Sequence, residues 1–351
     1  MRTVIKDRDA LISKEKIIFR VLGYTHPLNG FVCDAEYAPS NIFISKNPKA
    51  LRENFQKEKY FKFYEHEGIL FIKKNFPEYQ VSLPYLKDKV IGLKKNQIIQ
   101  VKFPEEKLKT VFYSENNDEL MNALHKVLSE ILDRSKLSLS DFGVFGSILH
   151  DFYHPSYSDL DFIIYGRKQL LELKEVLKEI YAEKRFMANE FEILPFKDEW
   201  KFKNFSLKEF FEHQKRKFIY GVLIDKNFNR KIKVEFEPVK SDEETLTSFF
   251  TPLKIKKLGW ASIKGEIIDE SESFFMPSIY MVEAEEIKGV KVPHVDFIVS
   301  YVEEFRMQAE KNDKIYAEGN LELVESLNGK KFYQIVLTYG EKYYEQTLKK
   351  L

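Results

Sequence analysis

The stretch from Phe142 to Tyr165, FGVFGSILHDFYHPSYSDLDFIIY, limits what this chain can fold into more than any other part of it. Two apolar runs in it read as strands. Gly146-Ser147 follows the first, and Asp159-Leu160-Asp161 opens the second. A strand projects residues i and i+2 from one face, so the two aspartates face the same way. Side by side they repel unless a cation lies between them, and hard carboxylate oxygens suit Mg²⁺ or Mn²⁺. Glycine tolerates positive φ and close backbone approach. The N–H groups of a Gly-Ser turn, with the serine hydroxyl, can then donate to phosphate oxygens. This is a layout suited to moving a nucleotidyl group.

Transfer between two metal ions calls for a further carboxylate on a neighbouring strand. The run Lys231 to Val239, KIKVEFEPV, alternates Ile232, Val234 and Phe236 onto one face. Lys233, Glu235 and Glu237 fall on the other. Read singly, each motif is unremarkable, because Asp-x-Asp is common at solvated strand ends and Gly-Ser is common in loops. Their order, spacing, flanking strands and the later acidic strand carry the reading together.

The pattern resembles the DNA polymerase β-like nucleotidyltransferase superfamily. Its signature is an apolar strand, Gly-Ser or Gly-Gly, a loop, then Asp-x-Asp or Asp-x-Glu in a second apolar strand. Eleven residues, Ile148 to Ser158, form the loop here. The likeness covers a core from Asn117 to Val239 and looks similar to predicted archaeal nucleotidyltransferases of unassigned substrate. In the superfamily the third acid often lies in a Val-Asp-apolar-x-Pro frame. Val234-Glu235-Phe236-Glu237-Pro238 matches that frame with Glu for Asp, which implies Glu235 for the role and Glu237 as runner-up.

What the resemblance implies is transfer of an NMP, AMP from ATP foremost, to an acceptor hydroxyl with release of pyrophosphate. Asp159, Asp161 and Glu235 would be catalytic and would hold Mg²⁺ or Mn²⁺. Gly146 and Ser147 would bind the nucleotide. An RNA or tRNA end is the expected acceptor. A small molecule or a protein hydroxyl remains open, as does a non-catalytic nucleic-acid or protein binding module on a silent transferase fold. Lys215, Arg216 and Lys217 are further candidates to neutralise phosphate charge, although the macrodipole favours bases at a helix C-terminus in any case.

Other residues carry blander readings. His150, His154 and Asp151 lie in the intervening loop without zinc-ligand spacing and are expected to be polar loop side chains. Trp200 and Trp260 are expected to pack. Cys33 is the only cysteine. That excludes a disulfide framework and a Cys-rich zinc site, and leaves a small buried hydrophobe in a strand.

At 351 residues and 44% hydrophobic, the chain can build several cores. An α+β fold is expected. Its central nucleotidyltransferase domain, a mixed sheet with helices, would span residues 113–249. A β-rich N-terminal domain (1–112) and a C-terminal β-rich domain (250–351) would flank it. The latter reads as an antiparallel barrel or sandwich, with OB-like as one form. In the N-terminal part, strands are expected at Lys16–Gly23, Gly30–Tyr37, Gly68–Lys73 and Asn96–Phe103, with a helix over Leu51–Tyr64. The central part should hold a helix over Leu120–Leu132, capped by Ser114, Asn117 or Asp118. Helices over Arg167–Glu183 and Ser206–Arg216 follow, then a hairpin of Phe218–Ile224 with Lys231–Val239. In the tail, Asn328-Gly329 marks a hairpin between Ile315–Val324 and Lys331–Thr338, with a further strand at Phe297–Val302.

The 56 basic and 55 acidic side chains nearly cancel, so any polyanion would need a local patch. There is no apolar stretch of membrane-spanning length and no signal-peptide h-region, so a cytoplasmic location is expected.

Overall fold

The computed structural model describes residues 4–115, 118–196, 199–246, 252–340 and 342–351. The candidate cap Asn117 and the expected boundary at residues 249–250 lie outside them. The chain divides into two compact units, Met1–Ala188 with Gly221–Thr247, and Asn189–Tyr220 with Ser248–Leu351.

The first unit begins with an eight-stranded sheet. Its strands are β1 (Ala10–Ser13), β2 (Ile18–Val21), β3 (Gly30–Pro39), β4 (Leu51–Glu53), β5 (Lys59–Lys62), β6 (Gln80–Val81), β7 (Val90–Lys94) and β8 (Ile98–Lys102). They run in the order β4-β5-β3-β2-β1-β8, with β7 also on β3 and β6 on β7. Alternation sorts their side chains. Leu11, Phe19, Val21, Cys33 and Ala35 form one core with Ile72 of helix α1 (Glu67–Asn75). Ala10, Ile12, Ile18, Tyr37 and Tyr60 form another with Leu149 and Phe152.

Two expectations are corrected here. Gly68–Lys73 is not a strand but lies inside α1. Its apolar run lacks period-2 alternation, and Glu67 in the first turn with Lys73 and Lys74 in the last suits the helix dipole. Leu51–Tyr64 is not a helix but the antiparallel pair β4–β5. The turn between them is set by Asn54, whose side chain accepts the Glu58 N–H at 2.9 Å, and by Lys57 at φ 66°.

Helix α2 (Pro104–Phe112), which opens on a proline suited to that position, leads into the central sheet. Helix α3 (Glu119–Asp133) is capped by Asp118, whose carboxylate accepts the Met121 N–H at 3.0 Å. Then come β9 (Phe142–Val144), α4 (Gly146–Leu149), β10 (Leu160–Tyr165), α5 (Arg167–Glu183) and β11 (Met187–Asn189). Helices α6 (Glu190–Ile193) and α7 (Leu207–Lys217) belong to the second unit. The first unit resumes with β12 (Tyr220–Leu223), β13 (Ile232–Val239) and α8 (Asp242–Leu246). The sheet order is β11-β12-β13-β10-β9, with β10 parallel to β13 and antiparallel to β9, so it is mixed. One face carries Leu160, Phe162, Val234 and Phe236, all buried, with the two phenyl rings stacked at 5.3 Å. The acidic side chains of β10 and β13 alternate onto the other.

In the second unit, the expected helix over Ser206–Arg216 is α7, with Ser206 as its N-cap. The sheet comprises β14 (Pro252–Glu272), β15 (Ser278–Gly289), β16 (Phe297–Ser300), β17 (Lys314–Ser326), β18 (Lys331–Leu337) and β19 (Thr347–Lys350). Pairing runs β14-β15-β16-β18-β17 and returns to β14, with β19 added on β17. The tail is not wholly antiparallel, because β16 and β18 are parallel. The β17–β18 hairpin turns at Asn328-Gly329 and sends β18 back alongside β16 in the same direction. Ile263, Ile267, Tyr280, Ile298, Leu321 and Ile335 fill its core together with Phe205 and Phe210. No helix among the described residues is long and apolar enough to cross a membrane.

Candidate active site

β9 ends at Val144, and the chain turns through Phe145 into α4. The Phe145 N–H donates to the Asp161 carbonyl at 3.0 Å, which ties this turn to β10. Gly146 adopts φ 60°, and a β-carbon there would run into Asp161 Oδ2. Backbone strain and lack of space therefore both demand glycine. Gly146→Ala should cost about 1–3 kcal/mol and displace the Asp161 carboxylate. Gly329→Ala is the control, since Gly329 has φ 79° but open space around it. Thermal melts of the two variants check this. Equal losses would mean that crowding against Asp161 plays no part.

β10 and β13 run parallel with Asp161 opposite Glu235 and Ile163 opposite Glu237. Asp159 is exposed and just precedes the strand, which starts at Leu160 rather than at Asp159. Asp161 and Glu235 are half-buried. The Asp161 carboxyl is pushed up to about 7, first by burial and then by the charge of Asp159. Lys62 opposes the rise, while Glu36 and Glu237 add to it. Two aspartates held in this tension are the donor pair that a hard divalent cation relieves, and in that sense they fit one. Among the described residues, no three His, Cys, Asp or Glu groups converge to hold a metal ion. Register thus sets Glu235 beside Asp161 without gathering it into a three-ligand cluster.

Glu237 is engaged elsewhere. Its Oε1 accepts from Arg8 Nε at 3.1 Å and also from Arg8 Nη2. Both side chains are almost wholly buried. Arg230, from the loop before β13, donates to the carbonyls of Pro155 (3.1 Å) and Ser158, bracing the segment that presents Asp159.

The sequence left the role of residues 1–112 open, and the structure brings three of them, Glu36, Tyr37 and Lys62, within electrostatic reach of Asp161. Ile18 pairs with Tyr37 while Phe19 pairs with Ala35, so Glu36 is an extra residue, a β-bulge in β3. Bulges re-aim side chains. The Tyr37 ring packs on His150 (5.3 Å) and Phe152 (5.1 Å), just beyond α4. Burial raises the Glu36 carboxyl, but its cationic neighbours, Arg20 foremost and Lys62 after it, outweigh this and hold it below its usual range. Lys62 pairs across the strands with Tyr37. The one trace of this in the sequence is the polar Asp34 and Glu36 alternating with Cys33 and Ala35.

His150 is not a polar loop side chain. It is 2% exposed, its pKa is lowered by burial, and its Nε2 lies 3.9 Å from Glu36 Oε2, beyond hydrogen-bond reach. His154 does behave as a loop residue, stacked on Tyr157. Asp151 pairs with Lys107 at 2.5 Å. Of the basic run considered for phosphate, Lys217 is buried in the second unit and donates to the Glu304 carbonyl at 2.8 Å. Lys215 pairs with Glu212. Trp200 packs on Phe202 and Phe210, and Trp260 donates to Glu318.

Residues 124–219 match the nucleotidyltransferase domain family. That window takes in Gly146-Ser147 and Asp159–Asp161 but stops before β13 and Glu235. Over 346 residues, 95% of this chain and 95% of the other, the sequence is 24% identical to "Uncharacterized protein MJ1086" of Methanocaldococcus jannaschii. The likeness therefore extends through the N-terminal and C-terminal sheets as well. No solved structure matches the chain.

Proposed function

Because residues 124–219 are a nucleotidyltransferase domain of the polymerase β-like superfamily, we propose that this protein transfers an NMP from an NTP to an acceptor hydroxyl and releases pyrophosphate. ATP is the proposed donor and an RNA or tRNA end the proposed acceptor. The observation that carries the reading is the register of β10 against β13, which sets Asp161 beside Glu235 with the Gly146 turn closed against Asp161.

In this mechanism Asp159 and Asp161 would hold Mg²⁺ or Mn²⁺, with Glu235, opposite Asp161 in the register, as the proposed third carboxylate. When bound, such an ion neutralises phosphate charge and polarises the reacting phosphoryl group. Gly146 and Ser147 offer backbone N–H groups and a hydroxyl to the β- and γ-phosphates. Glu235, half-buried beside Asp161, takes the proton of the acceptor hydroxyl as its oxygen attacks the α-phosphorus. The circuit of pairings in the C-terminal sheet supports reading it as an OB-like barrel, a form that binds oligonucleotides, and this favours the RNA acceptor.

The test is purified protein with Mg²⁺ or Mn²⁺ and each α-labelled NTP, with and without total RNA, followed by gel and mass analysis. Label in RNA with release of pyrophosphate is the expected result. Label on the protein, or on a small molecule, would overturn the RNA acceptor and keep the transfer. Nucleotide bound without turnover under any of these conditions would favour a binding module.

A further inference from the structure

Resting on the nucleotidyl-transfer reading, we propose that Lys62, delivered by the N-terminal sheet, binds the polyphosphate end of the nucleotide and holds the departing pyrophosphate. Lys62 is the last residue of β5 and lies opposite Tyr37 of β3. Cross-strand partners share a face, as do residues i and i+2 of one strand. Lys62 is therefore flanked on one face by Tyr37 and Tyr60. Both rings pack on Phe152, at 5.1 Å each, directly after the helix that begins with Gly146-Ser147. Lys62 thus shares the face of the sheet whose tyrosines pack on Phe152, in the segment that follows the Gly146-Ser147 turn.

Neighbouring cations are already committed. Arg8 is paired with Glu237, and Arg20 lies 3.5 Å from Glu36 and 3.4 Å from Asp34. Lys62 is half-buried, with its ammonium 5.8 Å from the centre of the Tyr64 ring. Among the described residues no carboxylate lies within ion-pair distance of it. Yet its charge is felt at both Asp161 and Glu36. It is a cation held at the edge of an acidic cluster without being consumed by it.

The chemistry needs such a group. As the acceptor oxygen bonds to the α-phosphorus, the bond from that phosphorus to the bridging oxygen breaks. Pyrophosphate leaves with the electron pair, while the acceptor's proton passes to a carboxylate. Negative charge grows on the leaving group, and a fixed ammonium there stabilises it. Lysine, a compact charge with rotatable donors, can follow a phosphate as it departs.

The experiment is titration calorimetry of the full chain with inorganic pyrophosphate in the presence of Mg²⁺, and with Mg²⁺ alone. Lys62→Met and Lys62→Arg are compared with the unaltered protein, and thermal melts confirm that each variant is folded. Lys62→Met should weaken pyrophosphate binding roughly tenfold or more, and Lys62→Arg should restore most of it. Mg²⁺ binding should be unchanged or tighter in Lys62→Met, because a positive charge has left. If Lys62 only shields Asp161 and Glu36, removing it will leave pyrophosphate binding equal or stronger, which overturns the inference and spares the transfer reading. If the unaltered protein binds neither pyrophosphate nor nucleotide, both fall.

Discussion

Asp161→Asn is expected to lower turnover roughly a thousandfold or more, on the order of 4 kcal/mol of transition-state stabilisation, and yet to melt above the unaltered metal-free chain. The second half follows from the sign of the Asp161 shift. Its carboxyl titrates near 7 instead of the ordinary 3.8. Between those values the folded chain keeps a proton that the unfolded chain has released. Stability therefore falls as pH rises through this window, and the full penalty stands above 7. Asparagine removes the charge and with it a cost on the order of 2–4 kcal/mol. Added Mg²⁺ should raise the melting temperature of the unaltered chain in this range and leave the Asn variant unmoved. Activity should decline as pH drops below about 7, where a proton competes for the same carboxylate. Melting curves across pH, with and without Mg²⁺, alongside pyrophosphate release, test all of this. Retained activity in the Asp159→Asn/Asp161→Asn double variant would remove the mechanism.

The buried Arg8–Glu237 pair should give the largest effect on folding. Arg8→Met takes the guanidinium away from a Glu237 carboxyl that is 1% exposed, a loss of about 3–5 kcal/mol. The double variant Arg8→Met/Glu237→Leu should recover most of that loss, since an apolar pair of similar volume often serves as well as a buried ion pair. Glu235→Gln should behave in the opposite way. It should hold stability within about 0.5 kcal/mol while lowering turnover, because it is half-buried and, in the proposed mechanism, takes the acceptor's proton. Denaturant unfolding of the four variants, read with their turnover, separates the two glutamates. If Glu237→Gln kept full stability and lost activity, the metal-holding role would pass from Glu235 to Glu237.

The parts of the fold that were legible in the sequence are those set by near neighbours. The apolar periods of α3, α5 and α7 placed those helices within a residue or two, and Asp118 is the one of the candidate caps in place on α3. Asn328-Gly329 gave away its hairpin. The segments that misled, Gly68–Lys73 and Leu51–Tyr64, are short mixed runs in which neither period is complete. There a side-chain turn at Asn54 and burial of Ile72 decided between strand and helix. The parallel pairing of β16 with β18 also depends on chain direction across an intervening strand, which no local pattern encodes.

The same division runs through the candidate site. By itself the sequence determined that Gly146, Ser147, Asp159 and Asp161 stand at the mouth of two strands, because turn chemistry and strand alternation act over a few residues. It could not decide between Glu235 and Glu237, which share a face two residues apart. The structure sets Arg8, 229 residues away along the chain, against Glu237. Nor could it assign Glu36 and Lys62, which reach the acids through a bulge and a cross-strand register. Register and charge pairing are settled by the packing free energy of distant segments, in which one slip turns a side chain to the opposite face. Only the tertiary structure decides which charges meet.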